Sequence, residues 1–244
     1  MPAALYPRAK TIIFATQSAT GLGPSEVKAH LLCSECEERF NEYGESDVLR
    51  LLAPKATRKR LPLLARLENA TPLRVLPGEL TVYSGPSVGI DPCSFAYFAL
   101  SLAWRAAVHR WTLPDGSEST LIDLGHHEEP TRHYLLQEGP FPSDTAVVMS
   151  VCRDEASREI WIAPGDGIRH DYGCSVIRMQ LLGLILVVWL GATIPDHIRQ
   201  LCCCSSLERP FIVAACSDVT AHMLGQLAPM PPVPQGKKRR GGPS

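Results

Sequence analysis

One apolar run, LLGLILVVWLGA at 181–192, constrains this chain more than any other feature, because it must be buried in lipid or in a core. A membrane-spanning helix needs roughly 20 apolar residues, and this run is shorter. With its flanks, 176–195, the segment contains Arg178, Gln180 and two glycines, Gly183 and Gly191. Val176, Ile177, Ile185, Val187, Val188 and Trp189 are β-branched or aromatic side chains that fill a pleated surface well, so the segment reads as two buried strands meeting near Gly183. No membrane partner is expected.

The chain has 244 residues, 45% hydrophobic and 20% charged, enough to bury a core in one large or two small domains. That balance excludes disorder, collagen and coiled coil as its overall class. A net charge of −1 supplies no global field toward nucleic acid or anionic lipid, so either partner would need a local patch. Nine cysteines are an odd number, and MPAALYPR at the start lacks the charged, apolar and small-residue regions of a secretory signal. Reduced thiols and a cytoplasmic location are expected.

Ile12–Phe14 and Val27–Leu32 read as short strands, the second running into Cys33. Ser34 followed three residues later by Glu37 has capping-box spacing and predicts a helix start, after which Phe40, Tyr43, Val48, Leu51 and Leu52 form a helical stripe broken by Gly44. Pro54, Pro62 and Pro72 with Lys55, Arg58, Lys59 and Arg60 mark 54–72 as a basic connector between a segment 1–53 and a domain 73–228. Residues 75–83 read as a hairpin turned by Pro77-Gly78.

Asp91-Pro92 opens a helix that runs to about Trp111, apolar on most sides and therefore the central packed helix, with one polar stripe of Ser101, Arg105 and His109. Then follow a strand at 120–124, a helix near 130–137, strands near 145–152, 159–163, 174–181, 184–190 and 211–215, and a helix near 219–227. Strands in succession without βαβ alternation predict an α+β fold with mainly antiparallel pairing. The tail 229–244, rich in Pro and Gly and ending in a basic cluster, is expected to be disordered.

Several groups carry chemistry. Cys33-x-x-Cys36, where a strand yields to a helix, offers two thiolates to one tetrahedral zinc; a redox pair, or two thiols merely at a helix start, are the alternatives. Arg105, surrounded by Phe98, Leu102 and Trp104, needs an acceptor, and Glu128, Glu129 or the acidic helix after Cys36 can supply it. Arg105 and His109 together, with Glu37 and Glu45, define a buried ion pair or an anion site. His126-His127-Glu128-Glu129 reads as an acidic helix start, since adjacent histidines on a helix point apart and the His-Glu-x-x-His spacing is absent. Cys202-Cys203-Cys204 cannot readily share one metal; Cys174 or Cys216 could join them in a second thiol cluster. No glycine-rich phosphate loop, Gly-x-Ser-x-Gly elbow or dinucleotide fingerprint occurs.

The segment HLLCSECEERFNEYGES, with PAALYPRAK before it, resembles uncharacterised bacterial proteins related to the His-Asn-His (HNH) nuclease superfamily and its treble-clef zinc fold. Cys33, Cys36, Glu37, Arg39, Phe40 and Gly44-Glu45 carry the likeness, which continues more loosely through FALSLAWRAAV at 98–108 and LGHHEEPTRHYLL at 124–136. The resemblance implies that 1–53 is a partial treble clef, with zinc at Cys33 and Cys36 and nucleic acid as a partner. It also implies that the other cysteine pair and the metal-activating His belong before Met1. Without that His there is no activated water, so the chain as it stands is expected to be non-catalytic. The alternative is a metal-free structural or protein-interaction module.

Overall fold

The computed structural model describes residues 12–15, 20–23, 31–52, 61–76, 80–112, 118–154, 157, 160–165, 168–169, 173–205 and 209–214. In chain order the elements are β1 (Ile12–Ala15), β2 (Thr20–Gly23), α1 (Ser34–Phe40), a π-helical turn (Asn41–Glu45), α2 (Ser46–Leu52), α3 (Pro62–Glu68), β3 (Arg74–Leu76), β4 (Leu80–Ser84) and α4 (Pro92–Val108). They continue with a 3₁₀ turn (Gly125–His127), α5 (Glu128–Leu135), β5 (Thr145–Cys152), β6 (Ile160–Ile162), β7 (Ile168–Arg169), β8 (Ser175–Leu181), β9 (Leu184–Leu190), α6 (Asp196–Arg199) and β10 (Pro210–Ala214).

The apolar run at 181–192 folds as the hairpin β8–β9. Leu181 opposes Leu184, and Leu182 (φ 49°) and Gly183 (φ 80°) form the two-residue turn, both in the left-handed region that suits the twist of the flanking strands. β8 and β9 lie centrally in a ten-stranded sheet of order β2-β1-β6-β8-β9-β5-β10-β4-β3, with β7 also paired to β8. Pairing is antiparallel throughout except for β1 with β6 and β10 with β5, which are parallel. The fold is α+β, and no helix among the described residues is long and apolar enough to cross a membrane.

Alternation along the strands sorts the core onto two faces. Val147, Met149 and Val151 of β5, Ile177 and Met179 of β8, and Leu186 and Val188 of β9 pack with α4 in one cluster. Ala146, Val148, Val176 and Trp189 turn the other way and pack with Ile194 and Cys202. α4 begins as its residues dictate: the Asp91 side chain accepts a hydrogen bond from the Cys93 amide, and Pro92 takes the first turn, where its missing N–H is harmless. Phe40, Val48, Leu51 and Leu52 pack in the same cluster as α4.

Several local expectations change. The Ser34–Glu37 capping box does not form; Cys33 occupies the N-cap position and Ser34 is already helical. Residues 62–68 are helical, not irregular: Pro62 is tolerated at the first position, and Leu63, Leu64 and Leu67 are buried in the core. Residues 120–124 pair with no strand; Ile122 and Leu124 are buried, and the Ile122 amide bonds the Ala106 carbonyl at 3.1 Å, so their alternation reflects burial beside the end of α4. Leu31 and Leu32 are not in a strand, and 27–30, the Pro77-Gly78 turn, the 219–227 helix and the 229–244 tail lie outside the described residues. Cys152 is disulfide-bonded, so the expectation of reduced thiols fails at that residue.

Candidate metal centre

Cys33 and Cys36 stand one helical turn apart at the start of α1, Cys33 exposed and Cys36 half-buried. Cys33 occupies the N-cap position with extended backbone (φ −70°, ψ 163°). Its side chain makes no capping hydrogen bond. Even so, the Cys36 backbone amide, and after it the Cys36 thiol, hold the Cys33 pKa below the ordinary thiol value. The Cys36 pKa is raised, first by sharing its hydrogen bond with Cys33 and then by burial. The two thiols stand one turn apart at the start of the helix, a spacing from which a Cys-x-x-Cys pair can take a metal or be oxidised. Among the described residues no third His, Cys, Asp or Glu completes a cluster with them.

Arg105 lies 2.6 Å from Glu45, Nη1 to Oε1, with 6% and 5% of the two side chains exposed. The guanidinium also sits 5.0 Å from the centre of the Phe40 ring. Glu45 Oε1 has no hydrogen bond of acceptable angle, so the contact is ionic rather than directional; the short distance and the burial of both groups are what establish the pair. The π-helical turn brings Glu45 there. Gly44 allows this turn to press on α4, since a Cβ at Gly44 would come within 2.8 Å of Tyr97 Cδ1 and 3.1 Å of the Ser94 carbonyl oxygen. Glu37 is exposed. His109 ends α4 with its ring edge-on to Trp111, centroids 4.8 Å apart, so it does not share the Arg105 site. Glu129 is engaged by Arg132 and His133, at 2.7 and 2.9 Å, and the Arg132 hydrogen bond brings its pKa down to about 2.

Two groupings lie outside the sequence expectations. Cys204 donates to Cys93 with the sulfurs 3.1 Å apart, while Cys202 accepts a contact from the Val147 amide at 3.4 Å and Cys203 is buried. The triplet is thus split between partners, and Cys93, at the start of α4, is the thiol that meets it. The second grouping is His126, His127 and Asp144, whose ligand atoms all lie within 4.8 Å of one another. The two rings do not diverge: their centroids are 3.9 Å apart with a 38° tilt, because the 3₁₀ turn and Gly125 (φ 53°) precede α5 and the pair is not yet on a regular α-helix. Only the His-His dipeptide was a visible signal; Asp144, in the turn before β5, had none.

No protein-family model, curated protein or solved structure matches the chain.

Proposed function

We propose that this protein is a metal-binding relative of the HNH and treble-clef group, in which Cys33 and Cys36 give two thiolates to a structural zinc ion and the described part of the chain is a non-catalytic scaffold. The reading rests on one observation: the two cysteines stand one turn apart at a helix start, Cys33 exposed and Cys36 half-buried, with hydrogen bonding to Cys36 lowering the Cys33 pKa. Zinc takes thiolates at about 2.3 Å in tetrahedral sites, and a lowered pKa reduces the proton release that binding demands. Nucleic acid belongs to this reading as a partner held without cleavage.

Cobalt substitution tests it. The full chain should develop a thiolate-to-cobalt charge-transfer band that Cys33→Ser or Cys36→Ser removes, and it should leave supercoiled plasmid uncut in the presence of magnesium or zinc. A protein that shows no thiolate band and keeps its thermal stability in chelator would instead be the metal-free interaction module.

A further inference from the structure

We propose that His126, His127 and Asp144 form a second metal site, for a zinc-class divalent cation, independent of the Cys33–Cys36 pair. Two imidazole nitrogens and one carboxylate oxygen are a donor set zinc accepts, with its fourth position left to solvent. The distances suit it. Zinc bonds of about 2.0–2.1 Å directed to tetrahedral corners place ligand atoms about 3.3–3.4 Å apart. His127 Nδ1 is 3.3 Å from Asp144 Oδ2, and His126 Nε2 is 3.8 Å from the same oxygen. The separations within the trio run up to 4.8 Å, so His126, with 81% of its side chain exposed, has to swing inward by about 0.5 Å toward the Asp144 oxygen and by up to about 1.4 Å toward His127 to reach that spacing.

The environment of His127 points to a ligand. Its side chain is only 8% exposed, yet Nδ1 makes no well-aligned hydrogen bond; the Asp144 oxygen is close but off the hydrogen-bonding direction. A buried ring nitrogen left this way is uncommon, because a buried polar atom without a partner forfeits its hydration.

The backbone around the three side chains is held in place. The Gly191 amide bonds the Asp144 carbonyl at 2.9 Å, Arg199 Nη1 bonds the Ser143 carbonyl at 2.8 Å, and the His127 amide bonds the Leu124 carbonyl at 3.0 Å. Ligands from two separate parts of the chain are therefore positioned in advance, with only the outer His126 ring required to move.

The test uses the full chain carrying Cys33→Ser and Cys36→Ser, so that failure of this site and failure of the thiol site are separately visible. Titration with Co²⁺ should give about one bound ion with visible ligand-field bands but no thiolate charge-transfer band, and zinc should displace it. Adding His126→Ala or Asp144→Asn, one exposed and one isosteric, should weaken binding by at least roughly tenfold while near-ultraviolet circular dichroism stays unchanged. The proposal is overturned if the double-serine protein binds no cobalt below millimolar concentration, if its spectrum shows sulfur ligation, or if neither added substitution changes the affinity.

Discussion

Replacing Glu45 with Ala would leave the Arg105 guanidinium in the core with 6% of its side chain exposed and the carboxylate at 2.6 Å gone. An uncompensated buried charge of this kind destabilises by about 3–5 kcal/mol, far more than loss of a surface pair, which contributes about 0–1 kcal/mol. For a chain of this size each kcal/mol shifts the melting temperature by about 2–4 °C, so Glu45→Ala should melt roughly 6–20 °C lower. The Phe40 ring, 5.0 Å from the guanidinium, offsets little of this, since a cation–ring contact contributes about 0.5–2 kcal/mol and is present in both proteins. Replacing both charges, as Glu45→Leu with Arg105→Met, removes the two desolvation costs together and should return stability to within about 1–2 kcal/mol of the parent. Urea unfolding followed by circular dichroism, with midpoints compared at equal slope, measures all three proteins. A Glu45→Ala protein within about 1 kcal/mol of the parent, or a double variant less stable than Glu45→Ala, would show that the pair does not carry a buried, uncompensated charge.

Gly44→Ala should destabilise by about 1–3 kcal/mol through overpacking against Tyr97 and the Ser94 carbonyl, read as a lower urea midpoint; an unchanged midpoint would mean the two helices can separate freely. Oxidised glutathione should link Cys93 to Cys204, because their sulfurs at 3.1 Å are only about 1 Å beyond bonding distance and the hydrogen bond from Cys204 lowers the Cys93 pKa; peptide mapping that finds both thiols free would refute this. His127 has its folded pKa depressed by burial, so in metal-free protein the unfolded chain binds the proton first as the pH drops below about 6.5. Its contribution to stability is therefore complete above that pH and lost as the pH falls through the folded value. His127→Gln should flatten the acid side of a melting-temperature profile, and an identical profile would count against the assignment.

Local physics was readable along the chain wherever a side-chain pattern acts over a few residues. The β8–β9 hairpin follows from two apolar runs and a glycine, and the start of α4 from Asp91 and Pro92. The same rules failed where a neighbour overrode them. Ser34 had the spacing of a cap, yet it is already the first helical residue and Cys33 takes the N-cap position. The prolines of 54–72 suggested a connector, although Pro62 opens a helix whose leucines are buried. At 120–124 alternation was real but recorded burial against the end of α4 in place of strand pairing.

By itself the sequence determined that a buried hairpin and an apolar helix would form the centre, that Arg105 would need an anionic partner, and that Cys33 and Cys36 would stand together at a helix start. Each of these depends on interactions within a turn or two, where covalent geometry limits the choices. Which carboxylate reaches Arg105, which thiol meets Cys204, and that Asp144 comes beside His126 and His127 were decided only by the packing of the helices on the sheet. Those contacts join residues remote along the chain, and their distances are set by strand order and helix packing, which no local pattern encodes.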